Sequence, residues 1–165
     1  MATARQSPEF TLEVRRTFAA PRERVFAAWA RREQLEQWMC KDESAHTVMH
    51  HEQDIRTGGR YLMEVKDAAK GETYWGQGVY REVKPPEKIV FSWFWTKDTR
   101  DGPPLHPDSR ETEVTVEFIA RGNSTEVVLT HAVFGSAKDR DDHKQGWNGC
   151  LDMLAKALAT ASTPG

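Results

Sequence analysis

The order in which two hydrophobic periodicities follow one another is the feature that most constrains the fold of this chain. Apolar and polar residues alternate, with the period of a half-buried strand, in one segment near the start and later in six consecutive segments. Two short stretches with helical spacing follow the first strand, and one long helical stripe follows the last. Because β-α-β alternation is lacking, a parallel sheet is not expected. The pattern predicts an α+β fold, in which a curved antiparallel sheet of about seven strands carries one long C-terminal helix.

Helix boundaries follow from local signals. Pro21 suits the first turn of a helix, where its missing N–H would have no partner in any case, and apolar residues recur after it at helical spacing. This predicts a helix over 21–29 and a second short helix over 32–38. An apolar stripe with a period near 3.6 predicts the long helix over 139–160.

The length of 165 residues fits one domain, expected over 9–160 between a flexible N-terminal tail, 1–8, and a C-terminal tail, 161–165. The formal net charge is only -2, so nothing in the composition attracts nucleic acid or anionic lipid. No apolar stretch approaches the roughly 20 residues of a membrane span. No secretory h-region is visible near the start, and a cytoplasmic protein is therefore expected.

A ligand cavity is predicted where the long helix crosses the sheet. A curled sheet covered by a helix can leave space between the two, and the chain has six tryptophans, a residue type that often lines ligand sites. The residues expected to line this cavity alternate on strands or lie on the helical stripes: Trp38, Met63, Trp75, Gln77, Trp93, Trp95, His131, Trp147 and Leu151. Asp54 and Arg56, two residues apart beside a Gly-Gly turn, are expected as a polar pair at the cavity mouth, and loop 97–110 as its lid.

Neither a metal site nor a catalytic site is predicted. His46, His50 and His51 follow Cys40, but on a strand His46 and His50 stand roughly 13 Å apart, and neighbouring residues point to opposite faces. Zinc needs its ligands within about 2.0–2.3 Å of one point. The chain also lacks a G-x-S-x-G elbow and a Gly-rich phosphate loop, so no cofactor is expected.

Six short segments, in order and spread over about 150 residues, carry a resemblance to a known family. They are Ala20-Pro21 with Val25, Phe26 and Trp29; Trp38; Asp54-Ile55-Arg56-Thr57-Gly58-Gly59; Gly78, Tyr80 and Val83 with Pro85-Pro86-Glu87-Lys88-Ile89-Val90; Thr130-His131; and Gly146-Trp147 with Leu151 and Leu154. The chain resembles the SRPBCC (START-like, helix-grip) superfamily, and within it the bacterial proteins similar to the activator of heat-shock-protein-90 ATPase homologue (Aha-type) family.

This resemblance implies the helix-grip fold and a cavity that binds hydrophobic molecules in many relatives, but no single activity. The leading hypothesis is binding of a small hydrophobic or aromatic molecule. The first alternative is a co-chaperone-like or stress-response module that binds a protein, with a chaperone as the partner. The second is a cyclase- or lyase-type enzyme acting on a bound aromatic substrate, for which His131 is the first candidate residue. A homodimer is a further open alternative.

Overall fold

The computed structural model describes residues 10–39, 46–105 and 109–161. Three helices and seven strands follow one another in the order β1 (Phe10–Phe18), α1 (Arg22–Ala30), α2 (Arg32–Leu35), β2 (His46–Gln53), β3 (Arg60–Asp67), β4 (Glu72–Lys84), β5 (Lys88–Lys97), β6 (Thr112–Arg121), β7 (Ser124–Phe134) and α3 (Ala137–Ala161). This is the predicted order, and the predicted α+β class is confirmed. The second helix is shorter than expected, since α2 is a single turn.

All seven strands form one antiparallel sheet in the order β1-β7-β6-β5-β4-β3-β2. Strands β2 to β7 are sequence neighbours and form a meander, whereas β1 pairs with the last strand, β7. The sheet is curved, and the three helices lie on its concave, inner face. The edges of the sheet are therefore β1 and β2, the first two strands in the chain.

The core lies between the inner face of the sheet and the helices. Helix α3 contributes Trp147, Leu151, Leu154 and Leu158, which are all buried, and these residues recur at the spacing of one helical face. The end of α3 is held by Arg24 of α1, whose guanidinium donates a hydrogen bond to the Leu158 carbonyl. The predicted apolar stripe of the long helix is thus the surface that packs on the sheet.

The register of β4 decides which of its residues face the core. Trp75 is paired with Thr96, and Gly76 is paired with Trp95. Because directly paired residues share a face, Gly76 lies on the inner face, whereas Trp75 and Gln77 lie on the outer face. The prediction that Trp75 and Gln77 line a cavity together with Trp95 is therefore wrong. Alternation divides β4 into a face with Trp75 and Gln77 and a face with Gly76 and Gly78, and the strand register places the second face inward.

Glycine is required on that inner face by close contacts with bulky neighbours. A Cβ at Gly78 would collide with the Ser92 carbonyl and the Tyr61 ring, and one at Gly76 would press on Met63. The glycines therefore let large side chains of adjacent strands lie directly over β4. At these two positions β4 therefore contributes only backbone to the inner face, and aromatic and thioether side chains of the neighbouring strands pack against that backbone.

The turn between β2 and β3 is fastened to the same strand. Gly58 has a φ of 90°, a conformation that glycine adopts readily, so the predicted turn chemistry is confirmed. The Gly58 N–H donates to the Tyr80 carbonyl at 2.7 Å, and the Tyr80 N–H donates to the Gly59 carbonyl at 2.8 Å. The turn thereby fixes the backbone of Tyr80, whose side chain contributes to the site described next.

Candidate ligand-binding cavity

A cavity lies between the end of the α1–α2 segment and the inner face of strands β2 to β5. Aromatic, aliphatic and thioether side chains make up most of its wall, together with two polar residues, and no lysine, arginine or carboxylate is among its described lining residues. The lining residues are Trp29, Leu35, Met39, His50, Gln53, Tyr61, Met63, Tyr80, Ile89, Phe91 and Trp93. The site is therefore an apolar pocket with a small number of hydrogen-bonding groups.

The cavity is nearly closed in this structure. About 340 Å³ of empty space lies in and in front of it, but only about 10 Å³ is open to the centre of a water molecule. The volume of about 10 Å³ limits what can bind, because the volume of about 340 Å³ includes open solvent and gaps too narrow for an atom. A water molecule needs about 10–15 Å³ by this measure, so the closed cavity has room for about one.

Two polar residues reach this apolar wall because of a β-bulge in β2. His50 is paired with Met63 and Gln53 with Tyr61, and the register shifts between these two pairs. In a regular strand, residues three apart point to opposite faces, so without the bulge His50 and Gln53 could not both face inward. Their side chains meet, with 3.3 Å between His50 Nδ1 and Gln53 Oε1.

Tyr80 extends this polar group across the sheet to β4. Gln53 Nε2 donates to the Tyr80 hydroxyl at 2.8 Å, and a second register shift follows directly after Tyr80. Burial raises the pKa of Tyr80 far above its ordinary value, although the hydrogen bond from Gln53 acts in the opposite direction. The phenol is therefore neutral at neutral pH, and it keeps its O–H hydrogen.

The two tryptophans of the cavity wall differ from the other buried tryptophans in their hydrogen bonding. Trp29 and Trp93 are 2% and 4% exposed, and neither indole N–H has a hydrogen-bond partner within the described part of the chain. By contrast, Trp38 Nε1 donates to the Ala28 carbonyl at 3.0 Å. Buried indole N–H groups usually find an acceptor, so the pair in the cavity wall calls for an explanation.

Of the nine residues predicted to line a cavity, Met63 and Trp93 line this one. The others lie outside its lining. Trp38 stacks edge-on against Trp29 with 4.6 Å between ring centroids, and Leu151 is fully buried in the core. Trp95 is half-buried next to Trp93. The prediction placed the cavity beneath α3, whereas in the structure the α1–α2 segment covers it, because side chains of α3 fill the space below that helix.

His131 and Trp147 belong to a separate buried network. Trp147 Nε1 donates to His131 Nδ1 at 3.0 Å, and His131 Nε2 lies 2.6 Å from the Thr112 hydroxyl. That hydroxyl donates to the Trp93 carbonyl at 2.9 Å, so it must accept from His131. Both imidazole nitrogens are thus occupied, and the neutral tautomer with hydrogen on Nε2 is specified, because indole can only donate.

The environment of His131 opposes its protonation. Burial lowers the pKa of His131 well below its ordinary value, and the charge of nearby His143, whose ring centroid is 5.3 Å away, lowers it further. A general base needs a free nitrogen within reach of its substrate. His131 offers none in this arrangement, so the geometry does not favour the enzymatic alternative that named this residue.

The remaining predicted site residues hold turns on the outside of the domain. Arg56 Nε forms an ion pair with Asp54 at 3.0 Å, and both side chains are largely exposed. Trp75 Nε1 donates to the Asp98 carbonyl at 3.1 Å, and Gln77 donates to a neighbouring loop carbonyl at 2.8 Å. These bonds attach the described start of the loop after β5 to the outer face of β4. No described residue of that loop lines the cavity, and 106–108 lie outside the described residues.

Several lining residues were not predicted from the sequence. Alternation could have predicted Tyr61 and Phe91, since each lies two residues from a predicted lining residue on the same strand. Tyr80 would have followed from choosing the glycine-bearing face of β4. No periodicity signals His50 and Gln53, because the bulge that brings them to one face depends on strand pairing.

The histidines of β2 do not form a metal site within the described part of the chain. His50 faces inward, whereas His51 stacks on Trp75 on the outer face and lies 2.9 Å from Glu64, so the predicted opposite orientations are confirmed. Cys40 and the side chain of His46 lie outside the described residues. Among the residues described, no group of three or more potential ligands could hold a metal ion. None of the described helices combines the length and apolar character that crossing a membrane requires.

A curved antiparallel sheet that grips a long C-terminal helix and encloses a small apolar cavity defines the helix-grip class of proteins. The sequence profile of the family described as "Activator of Hsp90 ATPase homolog 1-like protein" matches residues 19–159. The chain belongs to this family, and the resemblance noted from its motifs is confirmed. No curated protein sequence matches it significantly.

Solved structures of bacterial proteins share the fold over nearly the whole chain. The AHSA1 protein from Silicibacter pomeroyi is 25% identical, with 92% of this chain and 99% of that chain covered and a TM-score of 0.77. An uncharacterized protein from Rhizobium leguminosarum is 26% identical, with 96% and 99% covered and a TM-score of 0.73. A protein from Arthrobacter aurescens, at 17% identity, 91% and 86% coverage and a TM-score of 0.75, supports the fold alone.

Proposed function

We propose that this protein binds a small hydrophobic or aromatic molecule in the cavity between the α1–α2 segment and strands β2 to β5. The observation that carries the proposal is the register shift of β2 beside the cavity. The shift in β2 brings Gln53 to the same face as His50, beside Tyr80, which regular alternation of β4 places on that face, in an otherwise apolar wall. Bulges occur preferentially at sheet edges and next to active sites, where they re-aim side chains. A few placed polar groups in a hydrophobic pocket are typical of ligand sites.

Binding requires the cavity to open, because its present volume of about 10 Å³ is far below the roughly 300–1,000 Å³ of an ordinary ligand pocket. The wall offers side chains that can adapt. Met39 and Met63 are flexible thioethers, and Leu35 lies on the single turn of α2. We therefore propose that the ligand displaces these side chains and occupies their space, which shifts the population from the closed state to an open one.

Native mass spectrometry of gently purified protein is the first test. A stoichiometric mass shift that disappears after organic extraction would support the proposal, and the extract would identify the ligand class. If only the mass of the ligand-free protein is found, binding of an added ligand is tested next with a fluorescent probe. N-phenyl-1-naphthylamine is suitable because its emission rises when it leaves water for an apolar site.

Two matched leucine variants make the probe experiment specific to this cavity. Leu35→Ala removes a 2% exposed side chain from the cavity wall, and filling the new space recovers part of the about 2–5 kcal/mol that such a truncation loses. The Kd for the probe should therefore fall by about tenfold. Leu151→Ala makes the same truncation in the core outside the cavity and should leave the Kd unchanged. Equal affinity in both variants would contradict the proposed site.

Binding of a protein partner is a second candidate. One observation favours it: β2 is an edge strand, and Met49 on it is 55% exposed. An edge strand can pair with another chain, and an exposed apolar side chain adds contact area. If the partner is a chaperone of the kind that the family description names, stimulation of its ATPase should be lost in Met49→Glu. Unchanged ATPase rates at micromolar concentrations of the wild-type protein would exclude this role.

A further inference from the structure

Hydrogen-bond donors without acceptors are concentrated in the cavity wall. The indole N–H groups of Trp29 and Trp93 are buried and have no partner among the residues that the structure describes. The three other tryptophans with described hydrogen bonds, Trp38, Trp75 and Trp147, all lie outside the cavity lining. Three tryptophans outside the lining thus have acceptors, whereas the two tryptophans of the lining have none among the described residues.

Tyr80 adds a third donor to this wall. Its hydroxyl oxygen already accepts a hydrogen bond from Gln53 Nε2 at 2.8 Å, and its own O–H hydrogen is still available to donate. No described residue accepts that hydrogen. Tyr61, the other phenol in the lining, differs because it donates to the Ser92 carbonyl. The wall therefore presents three donors that an occupant of the cavity could satisfy.

The lining also restricts the charge of the occupant. Its described residues include no lysine or arginine to pair with an anion and no carboxylate to pair with a cation. Burying an unpaired charge is far more costly than burying a neutral polar group that is hydrogen-bonded. The aromatic wall could attract a cation through its π faces, but a cation would leave the three donors without acceptors. A neutral acceptor satisfies both conditions.

We infer that the cavity selects a neutral molecule with an aromatic or fused-ring body and at least one carbonyl or ether oxygen, which accepts hydrogen bonds from Trp29, Trp93 or Tyr80. This inference rests on the proposed function and refines it, because it names the chemical class of ligand for the same site. Hydrocarbons, carboxylates and amines with the same ring system should all bind less well.

A matched series of bicyclic probes tests the selection on the wild-type protein. Tetralin, 1-tetralone, tetralin-1-carboxylate and 1-aminotetralin share one carbon skeleton and differ in the polar group. Isothermal titration calorimetry at neutral pH gives the Kd of each. We expect 1-tetralone to bind about fivefold or more tightly than tetralin, because its oxygen pairs donors that are otherwise buried without acceptors. The two charged members should bind more weakly than 1-tetralone.

Single substitutions then locate the donors. Trp29→Phe and Trp93→Phe keep an aromatic ring and remove the N–H, and Tyr80→Phe removes the O–H. At least one of them should bring the ratio of the tetralin Kd to the 1-tetralone Kd close to one. Trp75→Phe removes an indole on the outer face of the sheet and should leave that ratio unchanged. Circular dichroism checks that each variant is folded. The selection among the four probes is tested on the wild-type protein alone, so it does not depend on the folding of any variant.

The outcomes separate the inference from the proposed function. Equal affinity for tetralin and 1-tetralone would overturn the selection for an acceptor but leave ligand binding in place. Tightest binding of the carboxylate or the amine would overturn the inferred neutrality. If no member of the series binds, and the naphthylamine probe does not bind either, the proposed function fails and the inference fails with it. A preference for 1-tetralone that persists in all three cavity variants would refute the assignment of the donors.

Discussion

Lowering the pH below about 6.5 should destabilise this protein through His131, and replacing that residue by glutamine should remove the effect. In the folded state, Nδ1 accepts from Trp147 and Nε2 donates to Thr112, so imidazolium cannot form without breaking the hydrogen bond from Trp147. Burial and the neighbouring charge of His143 lower the pKa of His131 well below its ordinary value. In the unfolded chain the same residue titrates near 6.5.

The sign and size of the effect follow from linkage. Below pH 6.5 the unfolded chain binds a proton at this residue that the folded protein does not bind. The free energy of unfolding therefore falls as the pH falls, with a limiting slope of about 1.4 kcal/mol per pH unit. The loss continues until the pH reaches the lowered pKa of the folded state, and it is absent above about pH 7.5. One pH unit then removes a noticeable part of the roughly 5–15 kcal/mol by which domains are stable.

Urea unfolding of the wild type and of His131→Gln, followed by far-UV circular dichroism between pH 5 and 7.5, measures this slope. Glutamine can accept from Trp147 and donate to Thr112, so the variant retains the pattern of donors and acceptors without a titrating group. Between pH 6 and pH 5, the free energy of unfolding of the wild type should fall by about 1 kcal/mol relative to that of the variant. Parallel pH profiles for the two proteins would refute the buried, neutral histidine.

Substitutions at four further positions test other parts of the fold, each by the shift in the midpoint of thermal unfolding. Gly146→Ala and Gly149→Ala should each stabilise α3 by about 1 kcal/mol, or about 2–4 °C, because both positions are exposed and a Cβ would meet nothing within 4 Å; destabilisation would show that the helix needs the glycines. Gly78→Ala should destabilise by about 1–3 kcal/mol or more, since its Cβ collides with backbone, and an unchanged midpoint would refute the inner-face register. Thr125→Val should lose about 1–3 kcal/mol, because Thr125 Oγ1 donates to the buried Ala20 carbonyl at 2.7 Å, whereas Thr125→Ser should retain most of the stability.

The behaviour of Gly146 and Gly149 shows where sequence reasoning reached its limit. Glycine inside a helix costs about 1 kcal/mol relative to alanine, so a close contact with the sheet would be an ordinary reason to retain it. Both glycines instead lie on the solvent side of α3, where a Cβ would meet nothing. Composition shows that a position is unusual, but only the rotation of the helix about its axis shows what the position faces.

The polar groups of the cavity illustrate the same limit within a strand. Alternation predicted correctly that His50 and His51 point to opposite faces, since this depends only on the pleat. That Gln53 joins His50 on the inner face depends on a bulge, and the bulge exists only in the pairing of β2 with β3. The hydrogen bond from Gln53 to Tyr80 depends in turn on strands that are far apart in sequence.

The sequence by itself determined the order of the elements, the antiparallel sheet, the helical stripe that grips it and the turn at Gly58, because each of these depends on local periodicity or on the backbone freedom of single residues. Tertiary structure alone decided which face of β4 is the inner one, that α1–α2 rather than α3 covers the cavity, and that the indole N–H groups of Trp29 and Trp93 meet no acceptor among the described residues. These features arise from strand register and from contacts between distant segments. A one-residue change in register reverses every side chain of a strand, and periodicity in the sequence is the same in either register.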